Sequence, residues 1–298
     1  MKRREFIKDI ALGGVLLNLN PNIFAQGQSG SSLPDLAVIQ GDSPALITQE
    51  AISSLGGMNR FVSKGDTVMV KPNIGWDRTP EQGACTNPEV VKTLVELCFE
   101  AGAKQVTVMD NPCNPAQRTY VRSGIAQAAK DAGAKVPFPN QFKLKKLALN
   151  GEWFKDWEIY TDFVEVDKII NVPAAKTHSL SRITLGMKNW LGALGGNRNQ
   201  LHQNLDFAML DLSRFFKPTL TVLDAYRLLI RNGPQGGRPS DVKVFKTIVA
   251  GVDYVAVDAM GASFFDIKPE ELPYLQMSQE RGMGIIDMEK LKVEKRTI

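Results

Sequence analysis

Apolar residues recur along this chain with two different periods, and each change of period marks an element. Residues 35–40 (DLAVIQ) form a short apolar run that predicts a strand, and 44–56 (PALITQEAISSLG) predicts a helix. Residues 67–73 (TVMVKPN) predict a strand ended by Pro72. The stretch 87–102 (NPEVVKTLVELCFEAG) predicts a helix with Asn87 as N-cap, Pro88 at the first helical position and Gly102 at its end. Next come a strand over 104–110 (KQVTVMD), one helix over 119–133 (TYVRSGIAQAAKDAG) and a short strand over 134–138 (AKVPF). Strands alternating with helices in this way predict an α/β fold, a mostly parallel sheet flanked by helices.

The second half is less regular. From 143 to 163 the pattern breaks into short, charged, aromatic-containing runs, which predicts a small antiparallel insertion near 141–165. Residues 166–173 (VDKIINVP) read as a buried strand and 205–216 (LDFAMLDLSRFF) as a helix. Two strands, 219–224 (TLTVLD) and 242–252 (VKVFKTIVAGV), flank the loop 231–241 (RNGPQGGRPSD). Helices over 252–265 and 271–282 precede a last edge strand over 291–297 (LKVEKRT). Neither a repeat nor a linker divides 34–298, which reads as a single α/β domain with a two-lobed arrangement left open.

Composition changes this picture at the N-terminus. Of the net charge of +4 in 298 residues, part lies in the first 25, where Lys2, Arg3, Arg4 and Lys8 outnumber Glu5 and Asp9. The remainder is too weakly basic to imply a nucleic-acid partner. Lys2-Arg3-Arg4-Glu5-Phe6-Ile7-Lys8, an apolar run over 10–19 and Ala25 follow the order of a twin-arginine export signal. The expectation is a signal peptide over 1–25, a flexible lead-in over 26–33 and a periplasmic or otherwise exported protein that meets the twin-arginine export machinery. No later stretch is long and apolar enough to cross a bilayer. The three cysteines form no C-x-x-C pair, so no iron–sulfur cluster or zinc ribbon is expected. Cys98 falls on the apolar face of its helix, whereas Cys85 and Cys113 each follow a strand and either pair or remain thiols.

Ligands of open parallel sheets sit beyond the carboxyl ends of the strands. This reading puts Lys71 and Asn73, Asp110 and Asn111, Lys176, Thr177 and His178, and Asp224 at those ends. The window 173–202 (PAAKTHSLSRITLGMKNWLGALGGNRNQLH) then adds Lys188, Asn189, Arg198 and the second of the chain's two histidines, His202. Histidine is the side chain whose ordinary pKa suits proton transfer near neutrality, and lysine and arginine supply the charge that holds an anion. Lys71, Asn73, Lys176, Asn189 and Arg198 are therefore the expected substrate-binding residues. His178, Lys188, His202, Asp110 and Asp224 are the expected catalytic ones. His178 and His202 alone make an incomplete metal site. The loop 231–241, with Arg231, Gly233, Gly236, Gly237 and Arg238, is either a flap over an anion or a plain surface loop.

Three stretches together resemble the domain-of-unknown-function family DUF362: VKPNIG with TNPEVVKTLVELCFEAGAKQVTVMDNP; INVPAAKTHSLSRITLGMKNWLGALGG; and LTVLDA with GPQGG and VAGVDYVAVDA. More distantly, His178, Lys188 and His202 after the strand KIINVP are similar in order to the lactate racemase-like family, which uses a nickel pincer nucleotide. That likeness implies Lys188 as anchor for a nickel pincer or another metal-containing cofactor, with His178 and His202 serving the metal and proton transfer. The combined expectation is an exported enzyme doing racemase- or epimerase-like acid–base chemistry on a small anionic metabolite. His178 would be its base or metal ligand. The alternative is a non-catalytic envelope protein that binds an anionic ligand or assists redox chemistry. Either way, His178, Lys188 and His202 must share one cavity.

Overall fold

Residues 33–298 are described by a computed structural model, so the expected signal peptide and nearly all of the lead-in lie outside the described residues. In chain order the elements are β1 (Leu36–Gln40), α1 (Pro44–Ser54), β2 (Thr67–Pro72), α2 (Pro88–Glu100), β3 (Gln105–Val108), α3 (Ala116–Arg122) and α4 (Ile125–Asp131). They continue with β4 (Leu144–Ala148), β5 (Asp156–Tyr160), β6 (Lys168–Val172), β7 (Ala174–His178), β8 (Arg182–Thr184), α5 (Gly186–Asn189) and α6 (Leu205–Phe216). β9 (Leu220–Leu229), β10 (Val242–Gly251), α7 (Tyr254–Ser263), α8 (Pro273–Glu280) and β11 (Val293–Thr297) complete the order.

The architecture is α/β. One sheet runs β11-β1-β10-β9-β6-β2-β3, with β7 and β8 extending it from β9. The pairs β2–β3, β2–β6, β6–β9, β7–β9 and β1–β11 are parallel, while β1–β10, β10–β9 and β7–β8 are antiparallel. Both faces are covered, and the strands alternate accordingly. Val68, Val70, Val106 and Val108 pack against α1, α2 and α4 through Ile52, Val91, Leu94 and Ile125. Met69, Met109 and Ile169 point the other way, against Trp190 and Phe216. The insertion is a separate antiparallel pair, β4–β5. α2 starts as its sequence dictates: Asn87 accepts the Glu89 N–H on its side chain, and Pro88 follows it.

Four elements differ from the sequence reading. The expected helix over 119–133 lies in two pieces because Gly124 takes a left-handed conformation (φ 73°) between α3 and α4. The expected strand over 134–138 is reduced to one bridge between Thr107 and Lys135, since Pro137 and Pro139 offer no backbone donors. The strand placed at 219–224 runs on to Leu229, and the strand ending at Pro173 resumes as β7. These last two shifts move the strand exits, and with them the residues that can reach a ligand.

Candidate functional site

The site is built on a buried polar floor. Lys71, at the end of β2, is fully buried; its Nζ donates to Asp110 Oδ1 (2.6 Å), the Pro72 carbonyl (2.9 Å) and Asn189 Oδ1 (3.2 Å). The other Asp110 oxygen accepts the Ile74 N–H at 2.6 Å, so both carboxylate oxygens are engaged. Burial lowers the Lys71 pKa, and the Asp110 carboxylate opposes that shift. Asn73 donates to Asn189 Oδ1 (3.0 Å) and accepts from Lys176 Nζ (2.9 Å), which also reaches the Ala84 carbonyl at 2.5 Å. Gly192 closes over this floor. A Cβ there would stand 1.9 Å from Asp110 Oδ1, so only glycine fits.

Lys188 is delivered by α5, a helix of one turn. No side chain of its own cap residue bonds its first amides. Asp258, fully buried in α7, accepts the Gly186 N–H at 2.7 Å and the Met187 N–H at 2.9 Å instead. Burial pushes the Asp258 carboxyl up to about 7. The next residue, Lys188, is 7% exposed, and its ammonium has no hydrogen-bond or ion-pair partner among the described residues. Burial, with the Lys176 charge beside it, pulls the Lys188 pKa down to about 8; burial alone does most of the same to Lys176, also about 8.

Above the floor opens a cavity of about 730 Å³. Lys176, Lys188, Asn189, Arg198, His178 and His202 line it, together with the apolar side chains of Trp76, Leu180, Leu191 and Pro234. The two imidazoles lie face to face, 6.4 Å apart and within 16° of parallel. His178 Nδ1 accepts the Leu180 N–H (3.1 Å) and the Ser181 N–H (3.4 Å), which leaves its proton on Nε2. Burial, then the Lys188, Lys176 and His202 charges, hold His178 down at about 3. His202 is lowered chiefly by burial and then by Lys188, while the backbone of Asn199 and Arg198 opposes that shift.

The structure therefore brings His178, Lys188, His202, Lys176, Asn73, Asn189, Asp110 and Arg198 to one cavity and leaves two expected residues out. Lys71 lies beneath the floor, because it is a strand residue facing inward. Asp224 is in mid-strand, where it accepts the Asn87 N–H (2.7 Å) and the Tyr226 N–H (2.9 Å) and joins α2 to β9. Burial raises its pKa to about 6. Arg198 is occupied: its guanidinium donates to the carbonyls of Asn111, Leu191 and Pro112, so it clasps loops and is not free to grip a carboxylate. The loop 231–241 contributes only Pro234 to the wall, and Arg231 turns back to the Ser240 carbonyl. Cys85 and Cys113 are free thiols, the second on the cavity wall. Trp76, Leu180, Leu191 and Asp258 escaped the sequence reading. Apolar residues between polar ones carry no chemical signal, and Asp258 lies 72 residues after the helix it caps.

The donor set does not fit a metal centre. Among the described residues no three His, Cys, Asp or Glu side chains cluster. His178 has no open nitrogen while it accepts two amides, and one remaining imidazole is not a ligand set. Lys188 does offer the free amine that a covalent anchor needs, but the metal-ligand role read for His178 and His202 is not supported by this geometry.

Comparison with known proteins gives three findings. The profile of the family described as domain of unknown function (DUF362) matches residues 68–263. A thylakoid-associated protein of Synechocystis is 25% identical over 245 residues, 78% of this chain and 73% of that protein. The lactate racemase apoprotein from Thermoanaerobacterium thermosaccharolyticum superposes with a TM-score of 0.50 at 12% identity. That match covers 76% of this chain and only 56% of the racemase, and at such identity it speaks for the fold alone.

Proposed function

The chain belongs to the family described as domain of unknown function (DUF362), and from that premise we propose that its cavity binds an organic anion and moves a proton on it. One observation carries this reading: the Lys188 ammonium has no partner among the described residues and lines a cavity that also holds both imidazoles. A desolvated, unpaired cation is costly unless an anion completes it. Lys188, with the charge of Lys176 beside it, holds the anionic group. His202 takes a proton from carbon next to a carbonyl, and His178 Nε2–H donates to the oxygen on which negative charge develops. Relative to the sequence reading, the base passes from His178 to His202. Asp110 and Lys71 act as positioning residues through Asn189, and no step runs through a metal.

The racemase-like fold makes isomerisation by proton transfer a natural class of reaction, by analogy only. Twin-arginine export is part of the same proposal. It is supported by the motif at Lys2–Lys8 and by the thylakoid association of the Synechocystis relative. Among the described residues no helix is long and apolar enough to cross a membrane.

Proton exchange tests the chemistry. In D2O, with 2-oxobutanoate and 4-methyl-2-oxopentanoate followed by NMR, the wild-type protein should speed exchange at carbon 3. His202→Gln should lower that rate about 100-fold or more while keeping anion affinity. An unchanged rate in His202→Gln contradicts the base assignment. Binding without any exchange in the wild type would leave the non-catalytic envelope binder as the function. For export, replacing Arg3 and Arg4 together by Lys should retain the protein in the cytoplasm, and continued export would contradict that part.

A further inference from the structure

The cavity sets buried cations beside apolar side chains. Its cations are deep, with Lys176 at 1% exposure and Lys188 at 7%. Its wall carries Trp76, Leu180 (67% exposed), Leu191 and Pro234 beside the exposed polar Ser179 and Asn199. The volume of about 730 Å³ is several times the bulk of a three-carbon acid. It lies inside the roughly 300–1,000 Å³ range of cavities that enclose drug-sized ligands. Among the described residues that line the cavity, Lys188 is the cation without a bonded partner. Lys71 is paired with Asp110, Lys176 is bonded to Asn73 and Ala84, and Arg198 is held by three carbonyls. Among the described lining residues a planar fork free for a bidentate grip is therefore lacking, and the point charge of Lys188, with that of Lys176 beside it, remains.

Resting on the anion-binding reading above, we infer that the ligand is an amphipathic monocarboxylate, which enters acid group first to reach Lys188 and leaves an apolar body of five or more carbons against Trp76, Leu180, Leu191 and Pro234. Shorter acids would satisfy the ammonium and leave the apolar wall wet. Neutral apolar molecules would cover the wall and leave the ammonium unpaired.

Calorimetric titration of the folded protein with acetate, butanoate, hexanoate and octanoate, and with hexanamide and hexylphosphonate, tests this. Affinity should rise about fourfold per added methylene, the value of burying one CH2. Hexanamide should bind at least tenfold more weakly than hexanoate, and hexylphosphonate no more tightly than hexanoate. Leu180→Ser, a change at an exposed position, should reduce the ratio of octanoate to acetate affinity. Acetate and octanoate binding equally would overturn the amphipathic ligand while leaving anion binding intact. Hexylphosphonate binding tenfold more tightly than hexanoate would overturn the carboxylate and make the head group phosphoryl. If none of the acids binds, or hexanamide equals hexanoate, the anion-binding reading itself fails.

Discussion

At the scale of the residue, Lys188 sets the behaviour of the site. Burial and the Lys176 charge pull its pKa down to about 8, and a bound carboxylate would raise it again. Binding above that pKa requires proton uptake. Affinity for hexanoate should therefore be flat between about pH 6 and 7 and fall at least about tenfold per unit above about pH 8, where Lys176 also loses its charge. His178, held at about 3, contributes no step near pH 6. Titrations across that range check this, and constant affinity to about pH 9.5 would contradict it. The same burial predicts a trade between stability and function. Lys188→Met should raise thermal stability by about 1 kcal/mol while abolishing anion binding; a thermal melt and a titration of the same variant decide it. The sequence made Lys188 and the histidines visible through their order and scarcity. It misplaced Lys71 and Asp224, since a lysine facing inward from a strand and an aspartate that accepts two amides look like rim residues when only their neighbours in sequence are known.

At the scale of the element, the site depends on a helix too short to stand alone. α5 has four residues and borrows its N-terminal acceptor from Asp258 of α7. Asp258→Asn replaces one accepting oxygen by an NH2 that faces an N–H, which should cost about 1–3 kcal/mol and weaken hexanoate binding by displacing Lys188. Denaturant melts and titrations together check it; an unaltered affinity would show that the cap does not position the lysine. Gly192→Ala should be still more damaging, because its methyl group would collide with Asp110 over the floor. α5 was not legible in the sequence, since neither its length nor a local cap announces it. β7 was missed for a related reason. Pro173 ended the apolar run, yet proline removes a single donor, and Ala174 resumes pairing beside Asp224 of β9.

At the scale of the whole molecule, the sheet was legible because its strands and helices carry their periods openly. Val68 and Val70 face one layer and Met69 the other, and α2 sends Val91, Leu94 and Val95 into the first. That layer lies across the sheet from α5 and α6, so its packing should influence stability and not binding. Leu94→Ala should cost about 2–5 kcal/mol in urea unfolding and leave the hexanoate affinity of the folded protein as it was. What no periodicity could reveal is convergence: His178 and His202, 24 positions apart, meet only because β7, α5 and the turn before α6 fold over one floor. The measurement that bears most directly on the account is the titration of Lys188 itself, by NMR of protein carrying 13C-labelled lysine and assigned with Lys188→Met. A pKa near 8 that rises when octanoate is added is the predicted result. A pKa near the ordinary 10.5, indifferent to octanoate, would contradict the claim that this lysine is a buried cation awaiting an anion.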